Sequence, residues 1–257
     1  MISFVGAGPG AADLITLRGA HRLADAEVVI WAASLVPEVL LEHCRPDVQV
    51  HDSKVMTLED VTAVFRDHPD AAIVRLHSGD PTIYSAIGEQ IDWCRANGRD
   101  FEIVPGVSSV AAAAAAIGRE LTAPAVSQSV VVTRLAHRTK SSMPDGEGLA
   151  AFSAVGGTMA VLLSAARPDA LQAELLTLGS KFAPDTPAVI AARVSWPDEQ
   201  IVHTSVGRLA DELKALGTTT TVLVLVGEAL GLETAMARSH VYAPTYGHSF
   251  RANRDRD

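Results

Sequence analysis

Three loops rich in glycine and proline carry the spacing in this chain that most suggests chemistry. They are Gly6-Ala7-Gly8-Pro9-Gly10, Leu76-His77-Ser78-Gly79-Asp80-Pro81 and Pro105-Gly106-Val107-Ser108-Ser109. Glycine lets backbone approach a ligand closely, and loops of this kind bind anions and nucleotides when a helix N-terminus follows. The first loop therefore invites comparison with a dinucleotide fingerprint. Pro9 weakens that reading, because it has no N–H to offer a phosphate. The helical pattern resumes only near Leu17, and the stretch after Val28-Val29-Ile30-Trp31 holds no acid for a ribose hydroxyl. Asp80 is the best polar candidate: it can accept a hydrogen bond from a ligand's amino or ribose group, or take a proton. The alternative for Asp80 is an Asx turn with Pro81. Tyr84 either reaches the mouth of such a site or belongs to an apolar helical face with Ile87, Ile91 and Cys94.

A second feature is electrostatic. From Leu121 through Pro144 there is no Asp or Glu, whereas Arg134, His137, Arg138 and Lys140 fall close together. Such a window either receives carboxylates, which the planar arginine fork binds well, or is a solvated basic loop. The nine histidines show no close-spaced pair. No catalytic triad, metal cluster or activated nucleophile is visible, so no metal is expected.

The elements that would position these loops read as follows. Strands are expected at Ile2–Gly6, Val28–Trp31, Val48–His51, Ala72–His77 and Phe101–Val104, and helices at Leu17–Ala24, Val36–Cys44, Leu58–Asp67, Tyr84–Asn97 and Val110–Ile117. This alternation predicts a mainly parallel sheet covered on both faces, in an N-terminal α/β lobe over 1–118. The three loops then follow strands one, four and five, at the edge where open parallel sheets bind ligands. A linker is expected over 119–128 and a C-terminal mixed α/β lobe over 129–232. Its strands are Ser129–Thr133, Thr158–Leu163, Ala188–Val194, Gln200–His203 and Thr221–Val226, with helices at Asp169–Leu178 and over Leu209, Leu213 and Leu216. The turn Trp196-Pro197-Asp198-Glu199 suggests a hairpin, and Thr204 or Ser205 is placed to cap the next helix. Beyond Leu232 the periodicity stops, and 233–257 reads as a disordered tail.

Composition bounds the function. The chain has 257 residues, 48% apolar and 20% charged, with a formal net charge of −9 and 5% aromatic residues. An acidic, aromatic-poor chain is a poor match for nucleic acid. No apolar run approaches the roughly 18 residues that span a bilayer, so no membrane partner is expected. The start lacks a basic n-region, and Cys44 and Cys94 form no disulfide framework, which suits a reducing cytoplasm.

The order and wording of the motifs carry a resemblance. Val5-Gly6-Ala7-Gly8-Pro9-Gly10 with Asp13-Leu14-Ile15-Thr16, then Gly79-Asp80-Pro81, Pro105-Gly106-Val107-Ser108-Ser109 and Val226-Gly227-Glu228 resemble the tetrapyrrole methylases. These are S-adenosylmethionine-dependent methyltransferases with a bilobal α/β fold. The run Ser78–Gln90, together with Glu120-Leu121-Thr122-Ala123-Pro124 and Val131-Val132-Thr133-Arg134, is similar to the branch of that family acting at C(11) of precorrin-4 in cobalamin formation. The resemblance implies S-adenosylmethionine as cofactor in the cleft between lobes, a tetrapyrrole substrate and a homodimer. It implies cofactor contacts from Pro9, Ser78, Gly79, Asp80, Ile83, Ser108 and Ser109. In the second lobe it points to Leu163, to Arg193 or Val194 beside Ser195, and to Thr220 or Thr221. Asp80 and Tyr84 are the catalytic candidates. Arg134, Arg138 and Lys140 are the candidates to receive a substrate bearing many carboxylates.

Overall fold

A computed structural model of the chain describes residues 1–136, 142–233, 238–243 and 245–251. Among these residues the chain forms two five-stranded sheets and divides into two compact units, Met1–Ala116 with Arg193–Gln200, and Ile117–Ala192 with Ile201–Asp257. The turn Arg193–Gln200, read from sequence as part of the second lobe, groups with the first unit.

The first unit holds β1 (Ile2–Gly6), α1 (Leu17–Asp25), β2 (Val28–Trp31), β3 (Gln49–Asp52), α2 (Leu58–Asp67), β4 (Ile73–His77), α3 (Gly88–Ala96), β5 (Phe101–Val104) and α4 (Ser109–Ala116). The strands run in the order β3-β2-β4-β1-β5, all parallel. The period of two in each strand sorts side chains onto two cores. Phe4, Val28, Ile30 and Ile73 pack with Val61, Phe65, Ile91 and Cys94, while Val5, Val29, Val74 and Leu76 pack with Leu23, Val36 and Leu40. Coverage on both faces is what the near-continuous apolar strands require.

Two expected helices differ. Val36–Cys44 is a 3-10 segment over Glu38–His43, closed by Leu40 N–H to Pro37 O (3.2 Å) and Cys44 N–H to Leu41 O (2.9 Å). The helix expected from Tyr84 begins at Gly88, because Tyr84 (φ 55°) and Ala86 (φ 50°) are left-handed and break the helical path. Tyr84 is therefore not part of the helical face of Ile91 and Cys94.

The second unit holds β6 (Val130–Arg134), α5 (Leu149–Ser153), β7 (Thr158–Leu162), α6 (Pro168–Leu175), β8 (Pro187–Ala192), β9 (Gln200–Ser205), α7 (Leu209–Ala215) and β10 (Val222–Val226). Its sheet order is β6-β7-β10-β8-β9; β6 and β7 are parallel, and β10 is antiparallel to both β7 and β8. Met159, Val161, Ile190 and Val224 pack against Leu149, Leu171, Leu175, Leu209 and Leu213. Helix α5 was not anticipated from the sequence. Neither proposed cap acts: Thr204 lies within β9, and Ser205 precedes a 3-10 turn, Val206–Arg208, without a side-chain capping bond.

The segment read as a linker is bound into this unit. Thr158 Oγ1 donates to Leu121 O (2.7 Å) and lies 3.0 Å from Ser127 Oγ. Within the tail expected to be disordered, the described residues carry a 3-10 turn, His240–Tyr242, and a His248–Arg251 bridge. The rest of that expectation, at 234–237, 244 and 252–257, lies outside the described residues.

Candidate functional site

The C-terminal edge of the first sheet brings the three glycine loops into direct backbone contact. Gly8 N–H donates to Gly79 O (3.3 Å) and Gly79 N–H to Gly8 O (2.8 Å), a one-residue bridge beyond β1 and β4. Ala7 N–H donates to His77 O (2.7 Å). A Cβ on Gly6 would lie 2.5 Å from Gly106 Cα, and one on Gly106 would lie 2.2 Å from Gly79 O. No side chain fits at either position, so the sequence must be glycine there. Gly8 (φ 79°) and Gly79 (φ 65°) hold left-handed backbone, which glycine adopts without the strain other residues incur.

Asp80 ties the second loop to the third. One carboxylate oxygen accepts from Thr82 N–H (2.8 Å) and the Thr82 hydroxyl; the other accepts from Gly106 N–H (2.9 Å). Burial raises the Asp80 carboxyl, but these hydrogen bonds outweigh it and hold the group below its ordinary value. The Asx turn is thus present, with an added link between loops. An ionised carboxylate engaged by three protein donors is suited to fixing loop geometry and poorly suited to taking a proton. Ser108 Oγ accepts from Val110 N–H (3.3 Å) at the start of α4. Tyr84 is 46% exposed, in the strained stretch between loop and α3.

The first loop meets the turn after β8. Trp196 Nε1–H donates to Pro9 O (3.0 Å) and Ala11 N–H donates to Ser195 Oγ (2.9 Å). With Gly8 N–H and Ala11 N–H engaged inside the protein and Pro9 lacking one, the loop does not present the row of free amides that a pyrophosphate requires. Helix α1, capped by Thr16, starts only at Leu17. The dinucleotide reading fails on this geometry.

The remaining candidates gather at one edge of the second sheet. Strand β10 runs antiparallel to β7 and β8, so its start lies beside their ends: Val222 pairs with Ala192, and Val161 with Val224. Leu163 and Arg193 follow the ends of β7 and β8, and Thr220 and Thr221 precede β10. Arg134, opposite Leu162 at the end of β6, is at the same edge. Leu163 (φ 55°), Arg193 (φ 49°) and Thr221 (φ 54°) are all left-handed without being glycine. Such strain persists only where the surroundings impose it, and it clusters at binding sites. Leu163 is 70% exposed, and the buried Thr221 Oγ1 has no hydrogen-bond partner among the described residues. Arg134 donates to Ser142 Oγ (2.8 Å). Arg138 and Lys140 lie outside the described residues, as does His137.

The first unit also buries two bases on β4. Arg75 (9% exposed) donates through Nη1 to Ile30 O (3.4 Å) and Leu76 O (3.3 Å); His77 (6% exposed) lies tilted against the Phe4 ring, and its Nε2 is unpartnered among the described residues. Burial lowers Arg75 to about 10, and burial with the nearby Arg75 charge lowers His77 to about 3. Sequence reasoning missed this pair, as it missed Trp196, whose signal was a tryptophan inside a Pro-Asp turn of an aromatic-poor chain.

Among the described residues no group of three or more His, Cys, Asp or Glu is arranged to hold a metal ion, and no helix is long and apolar enough to cross a membrane. Residues 1–210 match the family described as Tetrapyrrole (Corrin/Porphyrin) Methylases. The chain belongs to this family. A precorrin-4 C(11)-methyltransferase from Rhodococcus erythropolis is 41% identical over 247 residues, covering 95% of this chain and 97% of that protein. A solved cobalt-precorrin-4 methyltransferase, described as a cobalamin biosynthetic enzyme, superposes with a TM-score of 0.84 at 38% identity, covering 90% of this chain and 95% of that one. The uroporphyrin-III C-methyltransferase of Thermus thermophilus, solved with S-adenosylhomocysteine, gives 0.71 at 28% identity, covering 89% and 92%. Tetrapyrrole methylases thus share the two-sheet α/β architecture seen here.

Proposed function

We propose that this chain is an S-adenosylmethionine-dependent C-methyltransferase that methylates precorrin-4 at C(11), giving precorrin-5 and S-adenosylhomocysteine. The near-full-length relative that is 41% identical and bears that activity in its name carries the reading. The cofactor supplies the activated methyl on its sulfonium, so the protein's task is alignment in a dry site, which can be worth about 7–11 kcal/mol. A backbone cradle suits this task better than a set of titrating groups. Bare backbone at Gly6 and Gly106, where no Cβ fits, and at left-handed Gly79 suits the close approach of such a ligand, and the Thr221 hydroxyl, unpartnered among the described residues, can offer a hydrogen bond.

In this reading Pro9, Ser78, Gly79, Asp80, Ile83, Ser108, Ser109, Arg193 and Val194 are cofactor contacts, and Leu163, Thr220 and Thr221 are read as cofactor contacts too. Asp80 orders the loops, and Tyr84 stands at the entrance. Arg134, Arg138 and Lys140 receive the substrate carboxylates. Methyl acceptance at this carbon is balanced by loss of a proton from elsewhere in the macrocycle to solvent. The protein acts in the cytoplasm as a homodimer, so light scattering should give twice the 27.0 kDa chain mass.

The solved cobalt-precorrin-4 methyltransferase at 38% identity favours a second reading, in which the substrate carries cobalt. One experiment tests both. Purified protein, S-adenosylmethionine and precorrin-4 with or without cobalt are combined anaerobically, and the new methyl is located by NMR. A methyl at C(11) is expected; a methyl at another carbon refutes the assignment. Calorimetry with S-adenosylhomocysteine and with NAD tests the cofactor: tight NAD binding without S-adenosylhomocysteine heat refutes it.

A further inference from the structure

The turn Arg193–Glu199 grips the first glycine loop in a way that neither the family match nor the motif explains. Trp196 stands at its centre. Its indole N–H donates to the Pro9 carbonyl (3.0 Å), and its ring lies so close that a Cβ on Gly10 would fall 2.3 Å from its Cδ1. The Arg193 guanidinium carbon sits 4.1 Å from the centre of the ring on a cation–π contact, and Arg193 Nε donates to Asp198 Oδ1 (2.6 Å). The turn is closed by Trp196 N–H to Arg193 O (2.9 Å) and Ser195 N–H to Glu199 Oε2 (2.6 Å). Ser195 Oγ then takes the Ala11 amide (2.9 Å). Two residues of the turn, Arg193 (φ 49°) and Ser195 (φ 65°), hold left-handed backbone without being glycine. That strain costs of order 1–3 kcal/mol each, so the surrounding contacts must impose it.

We propose that Trp196 is a positioning residue for the methyl-transfer reaction: stacked under Arg193, it sets the conformation of Pro9–Ala11 and hence the wall that loop gives to the cofactor. This rests on the reading of Pro9 as a cofactor contact. A proline in the loop cannot donate through its own nitrogen, so its carbonyl is the one polar handle by which the protein can fix it. The indole supplies a donor at that carbonyl and a flat surface on which only Gly10 fits. Arg193 and Asp198 hold the indole plane, so the clasp has three layers: Asp198 on Arg193, Arg193 on Trp196, Trp196 on Pro9 and Gly10.

The test compares wild type with Trp196→Phe, which keeps a ring beneath Arg193 but removes the donor, and with Trp196→Ala, which removes both. S-adenosylhomocysteine affinity is read by calorimetry, and KM for S-adenosylmethionine and kcat by turnover of the tetrapyrrole. Loss of one hydrogen bond to the loop should weaken S-adenosylhomocysteine binding and raise KM about tenfold in Trp196→Phe, with kcat lowered by less than about threefold, and more strongly in Trp196→Ala. The tryptophan emission change on adding S-adenosylhomocysteine should disappear in Trp196→Phe, although Trp31 and Trp93 remain. Circular dichroism of Trp196→Phe should match wild type, which separates loop positioning from folding. Wild-type affinity in both variants, or loss of kcat at unchanged KM, overturns the positioning role. Absence of S-adenosylhomocysteine binding by wild type overturns the cofactor reading itself, and the clasp with it.

Discussion

His77 provides the sharpest quantitative test of the fold. It ends β4, the central strand of the first sheet, and is 6% exposed with Arg75 two residues before it on the same face. Protonating it in the folded protein would place a second positive charge beside Arg75 in an apolar layer that includes Phe4, and its value accordingly falls from 6.5 to about 3. The folded value is depressed, so the stability this group contributes is fully present above the unfolded value and is lost as pH falls from 6.5 toward 3. At pH 5 the unfolded chain binds the proton with a statistical weight of about 30 while the folded chain does not, a loss of about 2 kcal/mol relative to neutral pH. The perturbation is His77→Leu, which removes the titration and keeps an apolar side chain of similar size against Phe4. Urea unfolding at pH 7 and pH 5 gives the change in stability of each protein. Acid loss from carboxylates is common to both and cancels in the difference. Wild type should lose about 2 kcal/mol more than His77→Leu over this interval. Parallel pH dependence in the two proteins would falsify the buried, neutral His77.

Three further outcomes follow from the loops and caps. Gly106→Ala places a methyl 2.2 Å from Gly79 O and 2.8 Å from Gly6 Cα, both backbone, so the loops must separate. It should destabilise by about 1–3 kcal/mol in urea and abolish calorimetric binding of S-adenosylhomocysteine; retained binding would contradict the interlocked cradle. Asp80→Asn leaves one acceptor oxygen where two donor groups, Thr82 and Gly106 N–H, must be met on opposite sides. S-adenosylhomocysteine affinity should fall roughly 10- to 100-fold, the effect of losing a charge-assisted link, and a turnover pH profile that keeps its acid limb would show that Asp80 orders the loops without transferring the proton. Thr57→Ala removes the capping box of α2, in which Thr57 Oγ1 accepts from Asp60 N–H and Asp60 accepts from Thr57 N–H; a loss of about 1 kcal/mol in urea with unchanged S-adenosylhomocysteine affinity is expected.

What the sequence disclosed about the site follows a physical division. A glycine records a demand for space or for left-handed backbone at its own position, so Gly6, Gly8, Gly79 and Gly106 were legible as a loop set after strands one, four and five. The partner that makes the demand is a tertiary fact: nothing local tells that Gly6 faces Gly106, or that the Pro9 carbonyl meets an indole from residue 196. The parallel strand pattern was legible because apolar runs buried on both faces have few alternatives, and all five strands in the first sheet fall within a residue of their expected ends, with Ile2–Gly6, Val28–Trp31 and Phe101–Val104 unchanged. Helix starts were less so. Tyr84, Ile87, Ile91 and Cys94 keep a 3.6-residue period, yet Tyr84 and Ala86 are left-handed, because the chain must turn sharply from the Asp80 loop before α3 can pack on the sheet. Periodicity registers which side chains are apolar and not the path that delivers them, so it fails where a strand edge hands the chain to a binding loop. The same reasoning explains Leu163, Arg193 and Thr221. Their side chains carry no mark of strained backbone, and the common edge that gathers them arises from the antiparallel placement of β10 between β7 and β8. Residue type thus speaks for the cradle where the constraint acts on glycine, and is silent where the same constraint is borne by ordinary residues held in place by the sheet.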